Sequence, residues 1–301
     1  MDKFRGLFPA AITPMAGDGE GFDEVAFRKV LEFNIQSGVH GFWLAGGTGE
    51  SVMLDDEENR QLATAAVDQN RGRVANIMHV GTPTTKRSAR LAEHAARAGV
   101  EAICCVPPFF YGRTDDEIVE HYRIVGEAAD LPLFVYNLPH MTGVEITVDL
   151  MHKIQDKVPR LEGLKHSSVN FRNVDAFAQM GLTCFIGSSA LMLPALTLGA
   201  VGCVDGPPIM APEFWTEIWN AYQEGDGERA KAAQRRANDV VSLAMAIGGR
   251  FHAIVKVVLS HRLGIDCGAP RAPGLPLTEE QRRQIVRDAD QLGLGPVEVA
   301  P

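Results

Sequence analysis

Leu161-Glu162-Gly163-Leu164-Lys165-His166-Ser167-Ser168 is a short apolar run with one lysine near its end and two small hydroxyl residues directly after it. Runs of this kind recur along the chain, each followed by a longer amphipathic stretch, and that alternation decides the fold. Before it stand Leu7 to Met15, Gly41 to Ala45, Ala75 to Val80, Ala102 to Val106 and Leu133 to Tyr136; after it come Thr183 to Ile186 and Val201 to Val204. Helical patterns follow them. Asp23 to Ser37 carries Phe27, Val30, Leu31, Asn34 and Ile35 on one face, helices start at about Asp55 and Thr84, and others cover Asp115 to Ala129 and Thr147 to Ile154. Near-continuous apolar strands such as Ala-Ile-Cys-Cys-Val suit a parallel sheet covered on both faces. Eight strand and helix units joined by right-handed crossovers predict an α/β fold, a (β/α)8 TIM barrel.

The barrel pattern is expected to occupy residues 1–225 and to carry the active site. Residues 226–301 read as a C-terminal helical extension. Ala230, Ala233, Ala237, Val240, Val241, Ala244 and Ile247 make one apolar stripe, and further helices are expected over Arg250 to Leu263 and Thr278 to Leu292, around a Gly/Pro-rich Gly264 to Pro276. The chain has 301 residues, 46% hydrophobic and 22% charged, the composition of a globular protein with ample core. No apolar run approaches a membrane span, and Met1-Asp2-Lys3-Phe4-Arg5 lacks the layout of a signal peptide. The five unpatterned cysteines read as reduced core thiols of a cytoplasmic protein. A net charge of −9 with no basic block argues against nucleic acid as a partner.

In such a barrel, chemistry belongs at the C-terminal ends of the strands. Lys165 is out of place in its apolar strand unless it acts. Desolvation depresses the pKa of a buried ammonium, and the neutral amine attacks carbonyls to form Schiff bases. After the second strand, Gly46-Gly47-Thr48-Gly49-Glu50-Ser51 lets backbone N–H groups converge on an anion, with the Thr48 hydroxyl beside them. No Lys-Ser/Thr follows, so a carboxylate fits this loop better than a polyphosphate. At the end of the fifth strand, Tyr136 can pass a proton. Anion anchor, proton relay and electron sink are together what a 2-oxo acid needs.

Gly-Gly-Thr-Gly-Glu-Ser after the second strand, Tyr-Asn-Leu-Pro-x-x-Thr-Gly after the fifth and Gly-Leu-Lys-x-Ser in the sixth resemble the pyruvate-dependent Schiff-base lyase superfamily. This is the group of N-acetylneuraminate lyase and dihydrodipicolinate synthase. The resemblance implies that Lys165 forms the imine with pyruvate or another 2-oxo acid and that Tyr136 relays protons. Thr48 stands with them in the catalytic set and, with Gly47, holds the carboxylate. Gly187 and Val204 would line the pocket. A homotetramer built as a dimer of dimers is also implied.

The departures from the superfamily's patterns discriminate among its activities. Dihydrodipicolinate synthases carry an arginine where this chain has Met141, usually a threonine or serine at Gly47 and a tyrosine at Phe110. Tyr111 is adjacent to Phe110, but a one-residue shift on a turn re-aims the ring. Sialic acid lyases carry an acidic pair where Ser188, Ser189 and Ala190 stand here. The expected activity is therefore a class I aldolase that cleaves or forms a 4-hydroxy-2-oxo (2-keto-3-deoxy) acid, giving pyruvate and an aldehyde. Phe109, Phe110 and Met141 would supply an apolar wall for the aldehyde, and neither metal nor organic cofactor is required. The rivals are a sugar-acid dehydratase using the same imine, a 2-oxo acid binding protein without turnover, and a metal-dependent aldolase built on His79, His140 and His166. Lys256, on one helix face with His252, reads as a snorkelling side chain.

Overall fold

The computed structural model describes residues 3–16 and 19–300, so Met1 and Asp2 of the N-terminal stretch lie outside the described residues. Its strands are β1 (Gly6–Leu7), β2 (Met15–Ala16), β3 (Gly21–Phe22), β4 (Gly41–Leu44), β5 (Ala75–His79), β6 (Ala102–Cys105), β7 (Leu133–Asn137), β8 (Leu161–His166), β9 (Thr183–Ile186) and β10 (Gly202–Cys203). Its helices are α1 (Glu24–Gln36), α2 (Asp56–Asn70), α3 (Thr85–Ala98), α4 (Asp115–Ala129), α5 (Pro139–Thr142), α6 (Val148–Lys157), α7 (Asn173–Gln179), α8 (Met192–Thr197), α9 (Pro212–Gln223), α10 (Gly227–Ala244), α11 (Phe251–Leu263) and α12 (Glu279–Gln291).

Eight strands form one parallel sheet in the order β1-β10-β9-β8-β7-β6-β5-β4. The ends meet where Ala10 bridges Trp43 and the Ala11 N–H donates to the Trp43 carbonyl at 3.0 Å. The chain is thus a (β/α)8 TIM barrel followed by helices. One expectation is corrected. Leu7 to Met15 is not a single strand: regular pairing is confined to β1, and Met15 belongs with β3 in a separate antiparallel hairpin. Pro9 and Pro14 lack the N–H that a continuous ladder needs.

The helices start where their sequences supply caps. Asp55 with Glu58, Thr114 with Glu117 and Thr278 with Gln281 form capping boxes at the starts of α2, α4 and α12. The strands divide the core by period-2 alternation. Phe8, Trp43, Ile77, Cys104, Phe134, Phe185 and Val204 fill the barrel interior. Phe42, Leu44, Met78, Ile103, Val135, Leu164 and Ile186 face the helices.

A register shift between Leu133 and Phe134 sets the pairing that follows. Leu133 lies opposite Leu161 but Phe134 lies opposite Gly163, so Glu162 is the extra residue of a bulge. Gly163 lies tight against β9, since a Cβ there would stand 2.0 Å from the Thr183 carbonyl oxygen. After the barrel, α10 packs against α9, and α11 against α12. Among the described residues no helix is long and apolar enough to cross a membrane.

Candidate active site

Beyond the bulge, Tyr136 and Lys165 are register partners on adjacent parallel strands and point to the same face. Both are buried in the barrel mouth, Lys165 with 3% exposure. The Lys165 Nζ donates to the Tyr136 hydroxyl oxygen at 3.0 Å. It also lies 4.2 Å from the Tyr136 ring centroid and 5.4 Å from that of Trp43. Both rings present negative quadrupole to a positive charge on that nitrogen. The residues that follow fix the strand ends. Asn137 accepts from the Ile146 N–H at 3.0 Å and donates to Glu145 at 3.0 Å, while His166 Nε2 donates to the Asn170 carbonyl at 3.1 Å.

The loop after β4 comes to the same mouth. Gly47 is exposed, and a Cβ on it would stand 3.8 Å from the Tyr136 hydroxyl oxygen. The loop is held from behind by residues more than two hundred positions away. His252 Nε2 donates to the Gly47 carbonyl at 2.9 Å. Glu50, in the left-handed region with φ 61°, accepts from Lys256 Nζ at 2.6 Å and from the Arg271 N–H at 2.6 Å. Lys256 also donates to the Ala269 carbonyl at 2.9 Å. The snorkelling expected of Lys256 is therefore corrected: its side chain is 1% exposed and paired with a fully buried carboxylate. Burial pushes the Lys256 pKa below the lysine range, and Glu50 opposes that shift.

Above Tyr136 opens a cavity of about 230 Å³, lined by Gly47, His79, Val106, Phe109, Tyr136, Leu138 and Met141 among others. Of the residues singled out in the sequence, Gly47, Tyr136, Phe109 and Met141 line it, and Lys165 lies behind Tyr136. Thr48 is half-buried and turns its hydroxyl towards Gly206, where a Cβ would meet it at 2.7 Å. Thr48 is not among the lining residues, and neither are three others. Phe110 is 83% exposed, with φ 79°, and stacks edge-on with exposed Tyr111. Gly187 abuts Ser167, and Val204 is packed in the barrel interior. The three histidines differ in setting: His79 lines the cavity, His140 is exposed, and His166 uses both ring nitrogens on Asn137 and Asn170. Among the described residues no group of three or more His, Cys, Asp or Glu is placed to hold a metal ion.

Four residues given no part in the expected imine site shape it. Trp43 lies beneath Lys165, and Glu50 anchors the glycine loop. Asp205 accepts from the Ser189 and Gly206 N–H groups, each at 2.8 Å, and so joins the ends of β9 and β10. His79 presents a neutral imidazole to the cavity, its pKa lowered to about 4 by burial and by the Lys165 charge. Its signal was a lone histidine at the end of an apolar strand. Cys104 faces the same interior and Cys203 faces the helices, and burial raises both thiols well above the ordinary range and removes them as nucleophiles.

Known proteins are similar to this chain over nearly its whole length. An uncharacterized DapA-like lyase of Halobacterium salinarum is 34% identical over 294 residues, covering 96% of this chain and 94% of that protein. An N-acetylneuraminate lyase of Citrobacter koseri is 30% identical over 96% of this chain and 97% of its own. The crystal structure of dihydrodipicolinate synthase from Aquifex aeolicus superposes with a TM-score of 0.89 at 26% identity, covering 98% of this chain and 100% of that one. The model of the Dihydrodipicolinate synthetase family matches residues 3–292, and the chain belongs to that family.

Proposed function

We propose that this protein is a class I aldolase that cleaves or forms a 4-hydroxy-2-oxo acid through a lysine imine, with pyruvate as one product. The observation that carries the reading is the buried contact of Lys165 Nζ with the Tyr136 hydroxyl at 3.0 Å, beside Gly47 at a cavity floor. The names of the family's relatives, among them an N-acetylneuraminate lyase, support a carbon–carbon lyase.

In this reading the Lys165 amine adds to the C2 carbonyl, and the adduct loses its hydroxyl as water with the proton of the Tyr136 hydroxyl, which gives an iminium ion and a Tyr136 phenolate. The Tyr136 and Trp43 rings stabilise the positive charge of the iminium. When the C3–C4 bond breaks, its electron pair moves into the iminium and leaves an enamine. The C4 hydroxyl proton passes to the Tyr136 oxygen and the aldehyde departs. Protonation of the enamine at C3 and hydrolysis by water then release pyruvate. Gly47 and Thr48 hold the substrate carboxylate. The imine supplies the electron sink, so the reaction as proposed uses no cofactor.

The apolar rim of Phe109, Leu138 and Met141 suits an uncharged aldehyde half, and with Met141 in place of an arginine it lacks the cation that would meet a second carboxylate. A homotetramer and a reducing, cytoplasmic setting, which suits five buried free cysteines, are part of the proposal. The test is intact mass after incubation with pyruvate and borohydride. One pyruvate-derived adduct on the peptide containing Lys165, absent in Lys165→Ala, is expected; a folded protein that gives no adduct overturns the imine.

A further inference from the structure

His252, half-buried at the start of α11, lines the cavity above Tyr136, and its Nε2 lies 2.9 Å from the Gly47 carbonyl oxygen. A carbonyl can only accept, so Nε2 carries a proton in either charge state of the ring. Among the described residues this is the ring's only hydrogen bond, and it reaches 205 positions back along the chain. The Glu50 N–H meets the same oxygen at 3.1 Å. One turn further along α11, Lys256 holds the Glu50 carboxylate at 2.6 Å, so one face of the helix grips the glycine loop at two points. The peptide between Gly47 and Thr48 is planar and trans, which sets its N–H opposite its carbonyl. With the carbonyl drawn to α11, the Thr48 N–H is aimed away from that helix. Among the described residues neither the Gly47 nor the Thr48 N–H has an acceptor. Without a side chain at Gly47 this peptide can turn over at little steric cost, which would present a carbonyl oxygen to an anion where the N–H had stood. The surroundings do not prevent it: a Cβ built on Gly47 would meet only the Tyr136 hydroxyl oxygen, at 3.8 Å.

We propose that His252 is a positioning residue for the imine reaction. Its bond to the Gly47 carbonyl locks the Gly47–Thr48 peptide in the orientation that leaves the Thr48 N–H free for the substrate carboxylate. The inference rests on the imine reading above. His252 then sets the affinity for the 2-oxo acid and leaves the chemistry at Lys165 unchanged, because it touches the loop and neither the amine nor the Tyr136 phenol. An N–H held in place before the ligand arrives costs no reorganisation when the carboxylate binds. The C-terminal extension thereby takes part in substrate binding as well as in packing.

The test is borohydride trapping titrated with pyruvate and with methyl pyruvate, which keeps the ketone and lacks the charge. His252→Leu removes the donor and is expected to raise the half-saturating pyruvate concentration about tenfold or more, as the loss of a hydrogen bond to a charged group does. Little change is expected with methyl pyruvate or in the adduct formed at saturation. His252→Gln, whose amide nitrogen donates, is expected to return most of the pyruvate affinity, which a role in packing alone would not do. Should His252→Leu fail to fold, His252→Met carries the same expectation. An unmoved half-saturation for pyruvate, an equal loss on both ketones, or no recovery in His252→Gln overturns the assignment. Any of these with a Lys165 adduct in the unmodified enzyme overturns only the role of His252, whereas no adduct in the unmodified enzyme overturns the imine reading as well.

Discussion

Gly187 shows how little room the barrel mouth leaves. A Cβ on it would lie 1.8 Å from the Ser167 hydroxyl oxygen, itself buried and without a hydrogen-bond partner among the described residues. Gly187→Ala is expected to destabilise the fold by about 1–3 kcal/mol, as overpacking does. Adding Ser167→Gly should return most of that loss, and urea unfolding of the single and double variants checks both. Lys165 and Tyr136 were legible because each is a polar residue in a strand that otherwise reads as core. Phe110 and Phe109 could not be told apart, because which of two adjacent rings enters a cavity depends on one backbone torsion. Here Phe110 adopts a positive φ that the sequence does not announce.

The bulge in β8 is the decisive element. Without the shift at Glu162, Tyr136 would lie opposite Leu164, whose side chain faces the helices, and Lys165 would leave its phenol. Bulges are invisible to hydrophobic patterning, which reads period and not register. For the same reason, the apolar Leu7 to Met15 run resembled a strand although its prolines interrupt the ladder. Between elements, His121 ties α4 to its neighbours through the Thr85 hydroxyl at 2.9 Å and Cys105 Sγ at 3.4 Å. Burial lowers its pKa from 6.5 to about 4. The unfolded chain then binds more protons between those values, so this stability is complete above pH 6.5 and lost as pH falls through 4. The shift corresponds to about 3 kcal/mol. His121→Gln should flatten the stability profile by that amount between pH 6.5 and 4, leaving a similar slope from His79, as urea unfolding across that range would read.

At the scale of the whole molecule, the glycine loop after β4 depends on α11 and the segment after it. Lys256→Met strands a buried Glu50 carboxylate and is expected to cost about 3–5 kcal/mol. The double variant Glu50→Gln, Lys256→Met should recover much of that, and a double-mutant cycle in urea measures the coupling. None of this was legible, because a pair 206 positions apart has no local signature, and each partner alone looks like an ordinary polar residue. The barrel itself was legible because its repeating unit is local.

That long reach has a consequence for the order in which the protein comes into being. Glu50 is made early, yet its partner N–H at Arg271 follows 221 positions later. At a synthesis rate of about 5–20 residues per second, the glycine loop waits roughly 11–44 s for its support. A nascent chain still on the ribosome can own every strand of the barrel and yet lack the support of its glycine loop. The loop is complete only once α11 and the segment after it have emerged.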